Sequence, residues 1–208
     1  MTRKGTRDVY LYRLLNKPYG VLCQFTDAQN RPNLSAYGPF PKSVYPAGRL
    51  DADSEGLVLL TNDGAMKHRL LDPSFRHPRL YWVQVERIPG NGALDRLRHG
   101  VIVDGKKTLP ALVNRFEGEP GVWDRPVPIR MRKQVPTCWL EIIITEGRNR
   151  QVRKMTAAIG HPTLRLIRAG IANLRLGGLM PGEHRDVSAG ELRMLRRAIS
   201  HDVGNRYI

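Results

Sequence analysis

Apolar runs separated by turn-rich segments predict the strands of a central sheet. The runs Gly56–Thr61 (GLVLLT) and Thr137–Thr145 (TCWLEIIIT) are almost continuously apolar, which is typical of strands buried on both faces. Val9–Leu15 and Arg79–Ile88 alternate apolar and polar residues with period two, which predicts two further strands. Beyond a turn with the sequence NKPYG, Gly20–Phe25 is predicted to pair with the first of these.

Helical periodicity and helix-end signals predict four helices between these strands. The helices are predicted within Ala65–Leu71, Gly92–Gly100, Glu146–Gly160 and Ser188–Ile199. Pro73 ends the first helix. In the last, Ser188 and Glu191 have the spacing of a capping box, in which each side chain bonds the backbone N–H of the other residue.

The order of these elements predicts one mixed α+β domain. Val101–Thr108 is predicted to form a hairpin around Asp104-Gly105, and Thr26–Pro41 to form a loop. We find no internal repeat and no low-complexity linker. The predicted division is therefore a short basic tail at 1–8, a single domain at 9–200, and a C-terminal tail at 201–208.

The charge of the chain indicates a polyanionic partner. Its 208 residues include 34 Lys and Arg against 19 Asp and Glu, a formal net charge of +15. Cations that neutralise phosphates release condensed counterions, so such an excess favours binding to nucleic acid. The two cysteines, Cys23 and Cys138, lie in apolar runs and are predicted to be buried free thiols. No secretion signal or membrane span is predicted, which favours the cytoplasm.

One acidic segment, Ala47–Gly64 (AGRLDADSEGLVLLTNDG), contrasts with this basic composition. Asp51, Asp53 and Glu55 have the spacing of the first half of an EF-hand loop, but position 12 is Asn62 instead of Glu. Magnesium-dependent phosphoryl chemistry would need a phosphate-binding loop, and no such motif occurs, so no metal site is predicted. A solvated turn and a loop that presents one working carboxylate both remain open.

Five sequence blocks in a fixed order extend the pattern. GRLDADSEGLVLLTNDG is preceded by NKPYGVL and followed by YWVQV, EGRNRQVRKM and GHPTLRLIR. These blocks resemble the rRNA pseudouridine synthases of the small-subunit type A branch, and the resemblance spans roughly Leu11 to Val187. Within that branch, IRMRKQVPTCWL and DGKKTLPA are most similar to the E-type enzymes of large-subunit rRNA.

The resemblance implies a fold, a reaction and a setting. The fold is α+β, a mixed and largely antiparallel sheet with flanking helices and loops, in two lobes around a basic cleft. The N-terminal ribosomal-protein-like RNA-binding domain of many relatives is expected to be absent. The implied reaction isomerises one uridine of 23S rRNA to pseudouridine near the peptidyl-transferase region. It needs no cofactor and no metal, and the enzyme is expected to be a cytoplasmic monomer.

The same resemblance assigns roles to individual residues. It implies that Asp51 is the catalytic carboxylate, acting either as a nucleophile on the sugar or as the base that removes its C2′ proton. Arg153 is expected to pair with Asp51, Tyr81 to stack on the extruded uracil, and Leu166 to lie against the base. Trp82 is expected to face the opposite side of the sheet.

Other residues are predicted to contact RNA or to support the loop. The predicted RNA contacts are Lys17, Arg49, Arg148, Asn149, Arg150 and Lys154. Lys17 and Pro18 are also expected to shape the turn and support the catalytic loop, and a structural salt bridge is the alternative to RNA contact for Lys17. Asp53 and Glu55 are expected to orient the loop through backbone N–H groups. For the basic residues, a solvated helix face is the competing interpretation. A non-catalytic RNA-binding or ribosome-assembly module is the alternative function, and a metal-dependent nuclease is a third.

Overall fold

A nine-stranded sheet forms the centre of the computed structural model, which describes residues 9–129 and 135–200. The strands are β1 Tyr12–Lys17, β2 Tyr45–Pro46, β3 Glu55–Thr61, β4 Arg79–Glu86, β5 Ile102–Val103, β6 Lys106–Lys107, β7 Leu112–Arg115, β8 Thr137–Ile144, β9 Thr163–Ile171, β10 Leu174–Arg175 and β11 His184–Asp186. The helices are α1 Gly64–Leu71, α2 Asn91–His99, α3 Gln151–Ala158 and α4 Ala189–Ser200. Short 3₁₀ helices span Leu34–Tyr37 and Pro73–Phe75.

The main sheet has the order β11-β1-β3-β9-β4-β8-β7, with β2 paired to β3 and β10 paired to β9. All of these pairs are antiparallel except β3 and β9, which run parallel. β5 and β6 form a separate two-stranded hairpin at the predicted Asp104-Gly105 turn. The predicted mixed, largely antiparallel sheet with flanking helices is confirmed.

Alternation along the strands divides the core between two faces of the sheet. On the back face, Leu57 and Leu59 of β3 pack with Leu70 of α1 and Leu195 of α4. The front face carries two clusters. One is built from β4, β8 and β9 with α2 and α3, and includes Tyr81. The other packs β1 and β3 against the loops between residues 21 and 50. These two front clusters form the two sides of the candidate site.

The predicted strand at Gly20–Phe25 is wrong. Only one isolated bridge, Leu22 to Asn33, forms there. The segment leaves the sheet to cover the front face, where Val21 and Cys23 are buried, and its backbone N–H groups bond within the loop instead. Tertiary packing therefore overrides the local strand pattern.

Five strands of the main sheet were not predicted from the pattern: β2, β7, β9, β10 and β11. β7 is short and mostly exposed, and it forms by pairing with β8. β9 contains the buried Arg165 and Arg168. These two charged residues interrupt its apolar pattern, so the sequence of this central strand resembles that of a polar segment. Its hydrogen bonds come from β3 and β4, which are distant in sequence.

The predicted helices are confirmed, with their ends shifted by a few residues. At α4 the capping box forms reciprocally: the Glu191 N–H donates to Ser188 Oγ at 3.2 Å, and the Ser188 N–H donates to Glu191 Oε2 at 2.9 Å. Hydrogen bonds from Arg185 lower the pKa of Glu191 to about 2.

Cys23 and Cys138 are buried free thiols, as predicted. In the described part of the chain, no helix has the length and hydrophobicity needed to cross a bilayer.

Three predictions concern segments outside the described residues. The tails at 1–8 and 201–208 lie there entirely, and part of the IRMRKQVPTCWL block lies within 130–134. The domain division therefore stays a prediction.

Candidate active site

The acidic loop, Leu50–Ser54, connects the second front cluster to β3. Leu50 is buried in that cluster, and Ser54 is buried at the start of the strand. Between them the chain turns, with the Ser54 N–H donating to Asp51 O at 3.1 Å. The Asp51 side chain remains 38% exposed. The loop thus has both ends held in the core and presents two carboxylates at its turn, because the Asp53 side chain is exposed to the same extent.

Arg150 clamps two carboxylates of this loop. Its Nη1 donates to Asp51 Oδ2 at 3.2 Å and to Asp53 Oδ1 at 3.0 Å, while its Nη2 donates to Asp53 Oδ2 at 2.8 Å. The hydrogen bond from Arg150 is the main reason that the pKa of Asp53 lies below its usual value. Arg150 precedes α3 with a φ of 52°, so the residue stands outside the helix. Asp51 is therefore held beside a guanidinium, within the same clamp as Asp53.

Arg153 does not make the predicted ion pair with Asp51. Its Nη2 donates to Asp53 O at 2.7 Å and lies 3.5 Å from Asp53 Oδ2. The partner of Asp51 differs from the prediction because α3 begins only at Gln151. Arg150 lies just outside the helix and reaches Asp51 in place of Arg153. The pKa of Arg153 lies below its usual value because of burial, although the charges of Asp53 and Asp51 raise it. Through its hydrogen bond to Asp53 O, Arg153 supports the backbone of the acidic loop.

The other predicted RNA contacts divide into two groups. Arg148 donates to Lys106 O at 3.1 Å and Lys107 O at 2.6 Å, and Lys154 Nζ donates to Asp104 Oδ2 at 2.6 Å. Both fasten the β5–β6 hairpin beside α3. Arg49 and Asn149 are exposed at the rim. Contact of these four side chains with RNA remains a prediction.

The predicted contact of Lys17 with RNA is wrong. The residue is 0% exposed and cannot contact RNA in this structure. Its Nζ donates to Val21 O at 2.7 Å, to Pro18 O at 2.8 Å and to Ala52 O at 3.5 Å. Burial lowers its pKa to about 8. Nor is it in any ion pair of the described residues. Lys17 thus joins the turn after β1 to the back of the acidic loop.

We expect Lys17 to make stability rise with pH above neutrality. Between about 8, its folded pKa, and 10.5, the ordinary value, the unfolded chain binds more protons than the folded one. Stability then increases with pH, by about 3 kcal/mol over the whole interval. Urea unfolding of the native protein and of Lys17→Met from pH 7.5 to 10 tests this. The free-energy difference between the two proteins should change with pH, and a constant difference would contradict the assignment.

Glu55 lies directly after the acidic loop and is buried in an ion pair. Arg165 donates to both of its carboxylate oxygens at 2.8 Å, and Trp123 Nε1 donates to Oε2 at 2.9 Å. The expectation that Glu55 orients the loop through backbone N–H groups is therefore wrong. The partner is 110 residues away, and only the position of Glu55 at the edge of an apolar run hinted at burial.

Tyr81 and Leu166 meet on the front face, in the same cluster as Val152 and Met155 of α3. Tyr81 is 8% exposed. Trp82 belongs to the back-face cluster and packs edge-on against Phe116, as its position in the strand predicts. The predicted base-contacting pair is thus brought together beneath the helix that follows Arg150.

Strand register connects Tyr81 to the acidic loop. Tyr81 of β4 is paired with Arg168 of β9, and Arg168 is paired with Gly56 of β3. Gly56 has a φ of 105°, and a Cβ there would lie 2.4 Å from the carbonyl oxygen of Arg168, so only glycine allows this close approach. Gly56, Arg168 and Tyr81 therefore form one row across the floor of the site, beginning five residues after Asp51.

In residues 9–129 and 135–200, no group of three or more His, Cys, Asp or Glu could hold a metal ion.

Comparison with known proteins identifies the family. Residues 12–158 match the model of the RNA pseudouridylate synthase family. A protein of Xanthomonas campestris pv. campestris named ribosomal large subunit pseudouridine synthase E is 52% identical over 185 residues, 88% of this chain and 98% of that protein. A Vibrio parahaemolyticus protein of the same name is 49% identical over 174 residues, 84% of this chain and 72% of that protein.

A solved structure agrees with the sequence comparison. The crystal structure of a pseudouridylate synthase superposes with a TM-score of 0.73 at 28% identity, covering 90% of this chain and 74% of that one. The family match includes the acidic loop with Asp51, β4 with Tyr81, and Arg150 immediately before α3. The resemblance read from the sequence blocks is thereby confirmed, and the chain belongs to the RNA pseudouridylate synthase family, whose members are isomerases.

Proposed function

We propose that this protein isomerises a specific uridine of large-subunit ribosomal RNA to pseudouridine, with Asp51 as the catalytic carboxylate. The single observation that carries the proposal is the state of Asp51. It is partly exposed, its loop is held at both ends, and it is paired with Arg150 at 3.2 Å. The ion pair holds the carboxylate in one place at the turn of the loop, and a carboxylate oxygen is a group that can attack a sugar carbon or accept a proton.

The surroundings of Asp51 suit a uracil base that has been extruded from an RNA helix. A uridine stacked in an RNA helix hides its C1′ and C5 atoms, so an enzyme must extrude it before reaction. Tyr81 offers an aromatic ring at the floor, and stacking on such a ring contributes about 1–3 kcal/mol per base. Leu166, in the same cluster, supplies an apolar contact. Arg49 and Asn149 at the rim are available for backbone phosphates.

The choice of RNA rests on the relatives. Both reported bacterial relatives are named large-subunit pseudouridine synthase E, at 52% and 49% identity. We infer the same class of RNA for this chain, within 23S rRNA near the peptidyl-transferase region. The net charge of +15 supports a polyanionic partner. Action as a monomer in the cytoplasm, without a metal or cofactor, is part of this proposal.

Tritium release from C5-labelled uridine tests the proposal, because the C5 proton must leave when that carbon bonds to the sugar. We expect the protein to release close to one equivalent of tritium from a 23S rRNA transcript or from unmodified large-subunit particles. A 16S rRNA transcript with the same label serves as the matched control and should release none. If neither form of the large-subunit RNA reacts while the protein still binds it, the non-catalytic binding module would replace the synthase.

A further inference from the structure

Arg168 is a buried cation in the floor of the candidate site. It is 3% exposed, and its Nε donates to Leu57 O at 2.8 Å. Its Nη2 is buried and has no hydrogen-bond partner among residues 9–129 and 135–200. A charged donor that is removed from water and left unpaired costs several kcal/mol, so its retention in the fold calls for a compensating role.

Arg79 is a second buried cation beside it. It is 7% exposed, it lies two residues before Tyr81 on the same face of β4, and it has one described hydrogen bond, a long 3.5 Å contact with Leu71 O. Burial lowers its pKa, Tyr81 raises it, and the positive charge of Arg168 lowers it further. Within the described residues, neither Arg79 nor Arg168 is in an ion pair with a carboxylate.

The position of Arg168 identifies the part of the substrate that it faces. In the row across the floor, it lies between Gly56, which has no side chain, and Tyr81. Backbone phosphates of RNA remain near the protein surface, whereas an extruded base enters most deeply. A guanidinium at this depth is therefore positioned to contact the uracil ring and not a backbone phosphate.

The reaction generates a negative charge on that ring. When the N1–C1′ bond breaks, its electron pair stays with N1, and the released uracil carries one negative charge shared with its carbonyl oxygens. The charge disappears when C5 bonds to C1′, and the C5 proton then leaves while N1 takes up a proton, so that the product ring is neutral. Both routes open to Asp51, attack on C1′ and removal of the C2′ proton, release the same anion.

We propose that Arg168, assisted by Arg79, stabilises the uracil anion while it is detached from the sugar. Fixed buried donors aimed at developing charge need no reorganisation during the reaction, which makes them effective in a water-excluded site. The inference rests on the proposed synthase function. It adds a catalytic residue in β9, a strand that the sequence pattern did not predict.

The test compares uridine with 5-fluorouridine, whose ring is the better leaving group and needs less stabilisation. Single-turnover cleavage of the N1–C1′ bond is followed by the disappearance of the N-linked nucleoside at the target position, with RNA affinity measured separately. Arg168→Gln should slow the uridine transcript by about a hundredfold to a thousandfold, as the loss of an oxyanion donor does. The loss on 5-fluorouridine should be at least about tenfold smaller, with RNA affinity little changed. Arg197→Gln, an exposed change on α4, is the matched control and should leave both rates unaltered.

Other outcomes would overturn the assignment. Equal losses on the two RNAs would make Arg168 a structural residue, and weakened RNA affinity with an intact saturated rate would make it a phosphate contact. If Arg168→Gln does not fold, Arg168→Lys keeps the charge and is subject to the same comparison, and an equal loss on both RNAs again contradicts the proposal. The activity of the unaltered protein on uridine tests the synthase function itself, so failure of that function is recognised separately.

Discussion

Replacing Asp51 with Asn is expected to reduce tritium release from 23S rRNA by at least about a thousandfold. The amide is nearly the same size as the carboxylate, so the acidic loop should keep its fold. It is neutral, however, and it can neither attack a sugar carbon nor accept its proton. RNA affinity should change by less than about threefold, because Asp51 pairs with Arg150 and the rim residues are untouched.

Two matched variants sharpen this test. Asp186→Asn removes an exposed carboxylate of β11 that pairs with Arg13 of β1, and it should leave the rate unchanged. Asp53→Asn loosens Arg150 without removing the proposed catalytic group, so a loss of about tenfold is expected. If Asp51→Asn kept a rate similar to that of Asp53→Asn, the catalytic assignment of Asp51 would be wrong.

The second large effect is expected on stability. Replacing Glu55 with Ala should lower the free energy of unfolding by about 3–5 kcal/mol, because it leaves the Arg165 guanidinium buried without its carboxylate. Trp123 would also lose the acceptor of its indole N–H. Urea unfolding followed by circular dichroism measures the change, and tryptophan fluorescence reports the release of Trp123.

Removing both charges should restore much of that stability. Glu55→Leu combined with Arg165→Met replaces the ion pair with apolar side chains, and such replacements are often neutral or stabilising. Asp95→Ala breaks an exposed pair with Arg98 and should cost less than about 1 kcal/mol. A cost for Glu55→Ala that is no larger than that of Asp95→Ala would mean that the buried pair contributes nothing to the fold.

Local patterns were sufficient for the elements whose stability is local or whose burial is uniform. β3 and β8 are nearly continuous apolar runs, and the capping box at Ser188 and Glu191 lies within one turn of helix. β9 was missed because its arginines interrupt the apolar pattern, and Gly20–Phe25 was assigned to a strand because nothing local shows that it leaves the sheet.

For the site, sequence blocks were sufficient to single out Asp51 and Tyr81, since the family motif contains them. The partners of the acidic loop could not be assigned in this way. Arg150 takes the place expected for Arg153 because its left-handed backbone keeps it outside α3, which begins only at Gln151. Lys17 was expected to contact RNA, and only the packing of the loops over β1 shows that it is buried.

The sequence by itself determined the family, the antiparallel α+β class, the net positive charge and the candidate carboxylate, because each depends on residue identity and short-range order. The tertiary structure alone decided which guanidinium meets which carboxylate: Arg150 with Asp51, and Arg165 with Glu55. It also placed Arg168, whose Nη2 has no hydrogen-bond partner in the described part of the chain, beside Tyr81. The physical reason is that charge pairing and desolvation depend on distance in space and on burial, and residues about a hundred positions apart are brought together only when the sheet has formed.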